Sequence, residues 1–206
     1  MAINKMKLFL VRHAETPMNK NKIMQGRLDI SISKKGRIQA GKLAKRLVKE
    51  KIDIIFCSNM KRCRETITPL LKLKKIPIIY TKDLRERDFG IFEGKPIEKY
   101  ATWVRKNKLN RYINLFLFRI KKGESLIAVK RRVNKVMGKI FSLNKRNILI
   151  VTHGATTKVA LISALKQSLL KDYRKYSISN TGLSIITSLK KGNPKLKLLN
   201  CTKHLK

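Results

Sequence analysis

Two of the three histidines stand in matching places: His13 follows an apolar run at 7–11, and His153 follows another at 148–151. Both runs read as buried strands, and ligands in an α/β sheet bind at the carboxyl ends of strands. An imidazole placed there can act as a nucleophile, a proton carrier or a neutral hydrogen-bonding partner. One histidine after a strand is ordinarily a satisfied loop residue, but two at equivalent ends point to a shared site. Arg12 directly precedes His13, and Arg62 follows a further strand at 53–57, near the start of its helix. Guanidinium groups fork onto phosphate oxygens through parallel hydrogen bonds. Helix starts after Ser58 and at Gly154 would aim free N–H groups at the same region. For any single arginine in so basic a chain a solvated charge is the simpler reading; placement at three strand ends carries the case for an anion pocket. Glu86 is the acid candidate, since a carboxyl kept protonated beside a bound dianion can donate to a leaving alkoxide. An ion pair with Arg85 or Arg87 fits its spacing equally well.

The elements that must position these residues alternate. Ser33 is placed to cap a helix running to about residue 50, with Ile38, Leu43 and Leu47 on one face. After the strand at 53–57 comes a basic helix toward Leu73, then a strand at 76–80 in which Pro77 argues for an early or edge position. Residues 84–92 read as a loop or short strand, and 96–122 as helical with a break near Asn110. A clear helical period returns at 124–141, with Leu126, Val129, Val133, Val136, Met137 and Ile140 on one stripe. The strand at 148–151 is followed by a helix from Gly154, and strands at 183–188 and 195–200 finish the chain. The expected fold is a single α/β domain, its mostly parallel central sheet flanked by helices on both faces.

Composition bounds the rest. The 206 residues suffice for one well-packed domain, and an apolar share of 43% excludes a disordered or fibrous chain. No apolar run reaches the length of a membrane span, and the apolar stretch ending at Val11 is too brief for a secretory leader. A cytoplasmic location is expected. Fifty Lys and Arg against twelve Asp and Glu give a net charge of +38. The lysines are spread along the chain among many Ile and Asn, which reads as compositional bias; non-specific polyanion binding at low salt follows from it, but no specific nucleic acid is expected. Cys57, Cys63 and Cys201 lack metal-ligand spacing and read as small buried hydrophobes or incidental thiols.

The residues around these positions resemble the histidine phosphatase superfamily, also called phosphoglycerate mutase-like. Leu8-Phe9-Leu10-Val11-Arg12-His13-Ala14-Glu15-Thr16, with Asn19 shortly after, is similar to its leading signature. Gly26-Arg27-Leu28-Asp29, Ser33, Gly36 and Gln39-Ala40 resemble G-x-x-D…L-T-x-x-G-x-x-Q-A. The segment from Ser58 through Arg62 to Thr66 resembles S-x-x-x-R-A-x-x-T. Leu84, Glu86, Phe89-Gly90 and Glu93-Gly94 resemble L-x-E-x-x-F-G-x-x-E-G. Gly123-Glu124-Ser125 with Arg132, and Val151-Thr152-His153-Gly154, complete the series. The resemblance implies that His13 is the nucleophile, forming a phosphohistidine. It further implies that Arg12, Arg62 and His153 hold the transferring group, and that Glu86 gives a proton to the leaving oxygen and then helps activate water. Asn19, Gln25, Gly26 and Gly154, with Arg12 and Arg62, would contact the substrate. No metal and no cofactor are implied. The usual glycine after the first histidine is Ala14 here, which adds a methyl where backbone approaches phosphate, and the L-T pair is Ile32-Ser33.

Within the superfamily, mutases generally carry a longer cap between the acid and the G-E-S segment. The short cap here, at about 93–122, resembles the phosphatase branch, as does the ending Asn200-Cys201-Thr202-Lys203-His204-Leu205. The expected function is a metal-independent phosphomonoesterase acting on a small phosphorylated metabolite. A 2,3-bisphosphoglycerate-dependent phosphoglycerate mutase is the alternative, and a non-enzymatic binder of phosphorylated ligand or nucleic acid on the same fold is the third. Trp103, Tyr112, Phe116 and Phe118 in the cap could touch substrate or an anionic membrane, although packing on their own domain is the simpler expectation.

Overall fold

A computed structural model describes residues 6–107, 116–187 and 193–206. Strands β1 (Lys7–Arg12), β2 (Ile54–Ser58), β3 (Ile78–Thr81), β4 (Asn147–Thr152), β5 (Leu183–Thr187) and β6 (Lys195–Cys201) form one sheet in the order β3-β2-β4-β1-β5-β6. The β1–β4, β2–β4 and β2–β3 pairings are parallel, whereas β5 runs antiparallel to β1 and to β6. The chain thus matches the expected mostly parallel α/β architecture. β3 is an edge strand, as Pro77 just before it requires: the proline lacks an N–H but its carbonyl still accepts from Ile55 at 2.9 Å.

Period-two alternation divides the core between the two sheet faces. Leu8, Leu10, Phe56, Ile148 and Ile150 pack on one face beneath α5 (Leu126–Ser142) and α6 (Gly154–Ala164). Phe9, Val11, Ile55, Leu149 and Val151 pack on the other beneath α2 (Lys34–Leu47) and α3 (Lys61–Leu73). The two remaining short helices of the first half are α1 (Pro17–Lys20) and α4 (Ile97–Lys106), and α7 (Leu169–Asp172) follows α6. All six residues of the expected α5 stripe are buried, and Ser125 caps that helix by accepting from Ala128 N. On α2 the stripe is Gly36, Gln39, Ala40, Leu43, Ala44 and Leu47, with Ser33 as cap. Ile38 falls outside it at 64% exposure, because two residues of helical rotation carry it to the solvent side.

Residues 84–92 contain no strand; 3-10 turns at Lys82–Leu84 and Gly90–Phe92 flank an extended link. The expected break near Asn110, and Tyr112, lie outside the described residues. Phe116 is buried in the main core, while Trp103 packs on Phe92 and Phe118 at centroid distances of 5.1 and 5.2 Å. These aromatics pack on their own fold. Among the described residues no helix is long and apolar enough to cross a membrane.

The register fixes where the chemistry sits. Arg12 pairs with Thr152, so His13 and His153 leave adjacent strands at the same level, and His13 N donates to Thr152 O at 2.8 Å. β4 therefore carries the site as well as the core. Ile150→Ala, at a fully buried position on this central strand, is expected to cost about 2–5 kcal/mol of unfolding free energy. Urea denaturation followed by circular dichroism measures it.

Candidate active site

His13 is 3% exposed, and its Nδ1 lies 2.8 Å from the Ala14 carbonyl. A carbonyl only accepts, so Nδ1 carries the proton and the Nε2 lone pair is the nucleophilic one. Burial, followed by the nearby charges of Arg62 and Arg12, holds the His13 pKa well below the ordinary imidazole value, which keeps the ring neutral. The methyl of Ala14 packs against Ile32 and Ala40 beside α2, and its N–H donates to Thr66 Oγ1 at 2.8 Å. The extra methyl is thus absorbed by apolar packing.

Arg62 on the first turn of α3 has no exposed surface. Its Nε donates to His153 Nδ1 at 3.0 Å, and its two terminal nitrogens donate to the carbonyls of Leu28 at 2.7 Å and Gly26 at 2.8 Å. Accepting at Nδ1 leaves the His153 proton on Nε2, which faces Ser58 Oγ at 2.8 Å. The two imidazoles lie 5.1 Å apart by ring centroids. Burial first, then Arg62, holds His153 far below its ordinary pKa as well. Cys63 Sγ sits 3.4 Å from His153 Nε2, and burial pushes this thiol up to about 12. It is the small buried hydrophobe that its sequence context suggests.

Arg12 donates from one terminal nitrogen to Ile178 O at 2.6 Å, while its buried Nε has no hydrogen-bond partner among the described residues. That orphan N–H lies beside Gly154, where an added Cβ would be 3.6 Å from the guanidinium and 3.5 Å from Glu86 Oε2. Glu86 accepts from Ala155 N at 3.1 Å and from Thr156 N and Oγ1 at 3.2 Å each. Its side chain makes no ion pair with Arg85 or Arg87: Arg85 donates to Asn59 Oδ1, and Arg87 to Glu124 O and Tyr100 Oη. The carboxylate instead rests on the positive end of α6, spending two of the N–H groups expected to face an anion. The start of α3 is also occupied, because Asp29 Oδ1 accepts from Lys61 N at 2.7 Å.

Asn19 Oδ1 accepts from Thr16 N, Thr16 Oγ1 and Asn180 Nδ2, which commits its oxygen and leaves the amide N–H groups for a ligand. Gln25 is buried with Oε1 unpartnered among the described residues, next to the Gly26 carbonyl that holds Arg62. Gly26 has φ +50°, and a Cβ there would displace the Glu93 carboxylate, so a side chain at this turn is strained.

A family model described as the histidine phosphatase superfamily (branch 1) matches residues 8–202. The chain belongs to that superfamily. It is 38% identical over 158 residues to a protein of Schizosaccharomyces pombe named a probable phosphatase, covering 75% of this chain and 71% of the other. It is 30% identical over 211 residues to phosphoserine phosphatase 1 of Hydrogenobacter thermophilus, covering 97% and 94%. A phosphoserine phosphatase of Entamoeba histolytica, solved with 3-phosphoglyceric acid, superimposes with a TM-score of 0.84 at 26% identity, covering 98% and 100%. By family this histidine phosphatase is a phosphoric monoester hydrolase.

Glu124 and Arg132 belong to the G-E-S…R segment, to which the resemblance assigns no role. Arg132 holds Glu124 through Nε–Oε1 at 2.8 Å and donates to the carbonyls of Asp83, Arg85 and Glu86 at 2.6–3.1 Å. This brace fixes the turn that presents Glu86. Arg132→Met is expected to lower kcat more than tenfold while leaving most of the fold, checked by steady-state kinetics beside circular dichroism. The depressed imidazoles also set a pH dependence. In the unfolded chain both titrate near pH 6.5, whereas the folded protein keeps them neutral further down. Their contribution is complete above pH 6.5 and is lost as pH falls toward the folded values. The urea midpoint should therefore drop between pH 7 and 5, and His153→Gln should flatten that slope.

Proposed function

We propose that this histidine phosphatase hydrolyses a small phosphorylated metabolite without metal, through a phosphohistidine on His13. One observation carries the reading: a neutral, buried imidazole whose Nε2 has no partner among the described residues lies in the field of two guanidinium groups, the buried Arg62 and Arg12 with its buried, orphan Nε, neither with a carboxylate in hydrogen-bond contact among those residues. Nε2 attacks phosphorus in line as the ester oxygen departs. Arg12, Arg62 and the Gly154 N–H stabilise charge on the three equatorial oxygens, His153 holding Arg62 Nε in place through Nδ1, with Asn19, Gln25 and Gly26 lining the approach. Glu86, presented at the α6 N-terminus, donates a proton to the leaving oxygen. Its carboxylate then takes a proton from water, which attacks the phosphohistidine and returns the Nε2 lone pair. Positive charge comes from guanidinium groups and helix N–H donors, so the chain needs no metal to neutralise the phosphoryl group. The described residues 93–107 and 116–122 would act as a short cap beside this pocket.

The relatives' names support phosphomonoester chemistry: they include phosphoserine phosphatases. The test is phosphate release from a panel of phosphomonoesters in excess chelator, with isomerisation of 3-phosphoglycerate followed alongside. Turnover is expected to survive chelator, to fall at least about 10³-fold in His13→Ala, and to leave an acid-labile phosphoenzyme on rapid quench. Dominant isomerisation with 2,3-bisphosphoglycerate would move the assignment to mutase. Folded protein without turnover of either kind would leave a binding role.

A further inference from the structure

Lys158 has no part in the mechanism above, yet it lies against the machinery. It is on α6 one helical turn beyond Gly154, so the two residues share the face that meets Arg12 and Glu86. The side chain is only partly exposed, and its ammonium stands over the Tyr173 ring at 5.0 Å from the centroid. It makes no hydrogen bond or ion pair among the described residues, and a cation held in this way is short of an acceptor. The carboxylate that acts on it, Glu86, is held by N–H groups of α6. Burial, then the charge of Arg12, lowers the Lys158 pKa, while Glu86 opposes the shift.

The surroundings suit an anion on one side of the site. The Tyr173 phenol lies in the field of Arg87, Glu86 and Tyr100, and Arg87 donates to Tyr100 Oη at 3.3 Å. Glu86 is held by the N–H groups of Ala155 and Thr156 at the start of the helix that carries Lys158 one turn on, so Lys158 lies on the acid's side of the phosphoryl pocket, where the departing alcohol must sit if Glu86 protonates it.

We propose that Lys158, seated on Tyr173 beside Glu86, binds a second anionic group on the leaving alcohol and so selects phosphomonoesters that carry one. This rests on the phosphatase reading above and names its substrate class. The anion could be a carboxylate or another phosphate. Lys158 is a specificity determinant and takes no covalent part.

Matched substrates isolate the second anion. 3-Phosphoglycerate and glycerol 3-phosphate differ by a carboxylate, as do phosphoserine and phosphoethanolamine; fructose 1,6-bisphosphate and fructose 6-phosphate differ by a phosphate. Lys158→Met is expected to lose kcat/KM at least about tenfold on the members with the second anion, mostly through KM, and less than about threefold on their partners. Lys158→Arg should restore most of the loss. The pair that responds names the anion. Equal losses within every pair, or no loss in any, would overturn the proposal and leave Lys158 as packing on Tyr173. Calorimetric affinities for the same pairs, in His13→Ala with and without Lys158→Met, read the subsite without turnover. A Lys158-dependent preference there, from wild-type protein that hydrolyses nothing, would sink the phosphatase reading and leave the subsite standing. No such preference would sink the subsite.

Discussion

The buried guanidinium of Arg62 is the constraint around which the site is arranged. It has no exposure and no carboxylate in hydrogen-bond contact; its acceptors are two backbone carbonyls and an imidazole nitrogen. Burying an unpaired charge is costly, by several kcal/mol after relaxation. The surrounding chain is shaped to limit that cost. Gly26 turns into the left-handed region so that its carbonyl faces Arg62, and Glu93 fills the space where a side chain would project, accepting from Arg27 N at 2.8 Å. The demand on His153 Nδ1 in turn fixes the proton on its other nitrogen, against Ser58. One charge thus determines the conformation of a loop, the tautomer of a histidine and the seat of a strand-end serine. The countercharge is what the proposed substrate brings.

A second chain of dependence runs to the acid. Glu86 is attached to the start of α6, whose position is fixed by apolar packing on the sheet: Val159, Ala160, Leu161 and Ile162 are fully buried. Arg132 on α5 ties down the carbonyls of the turn that carries Glu86. Both helices cover the same sheet face, so the distance between acid and nucleophile is a property of core packing. A loop alone would not hold it.

The fold was legible where periodicity is local. β1 and β4 are unbroken apolar runs because both of their faces are covered, and the α5 stripe repeats at helical spacing over its whole length. The histidines, Arg12 and Arg62 were legible from their places after those strands, and the resemblance added roles that spacing alone leaves open. What the sequence did not disclose are bonds between residues far apart in the chain. Glu86 could equally have paired with its neighbours Arg85 and Arg87; the outcome turns on a helix start almost 70 residues away. Asp29 as the partner of α3, and Arg132 as the brace of residues 83–86, have no periodic signal either. Ile38 is apolar yet faces solvent, because its rotation about the helix, not its hydrophobicity, decides its side.

The three thiols have a use that follows from their depth. Cys63 lies under His153 without exposed surface, Cys57 is buried in β2, and Cys201 on β6 is partly open. A thiolate-directed label can reach Cys63 only when the floor of the pocket separates from α3. Its labelling rate, referred to that of Cys201, becomes a clock for opening of this region, and the spread between Cys63 and Cys57 tells whether the floor opens alone or with the sheet. The molecule carries, beneath its own nucleophile's partner, a gauge of how often that platform comes apart.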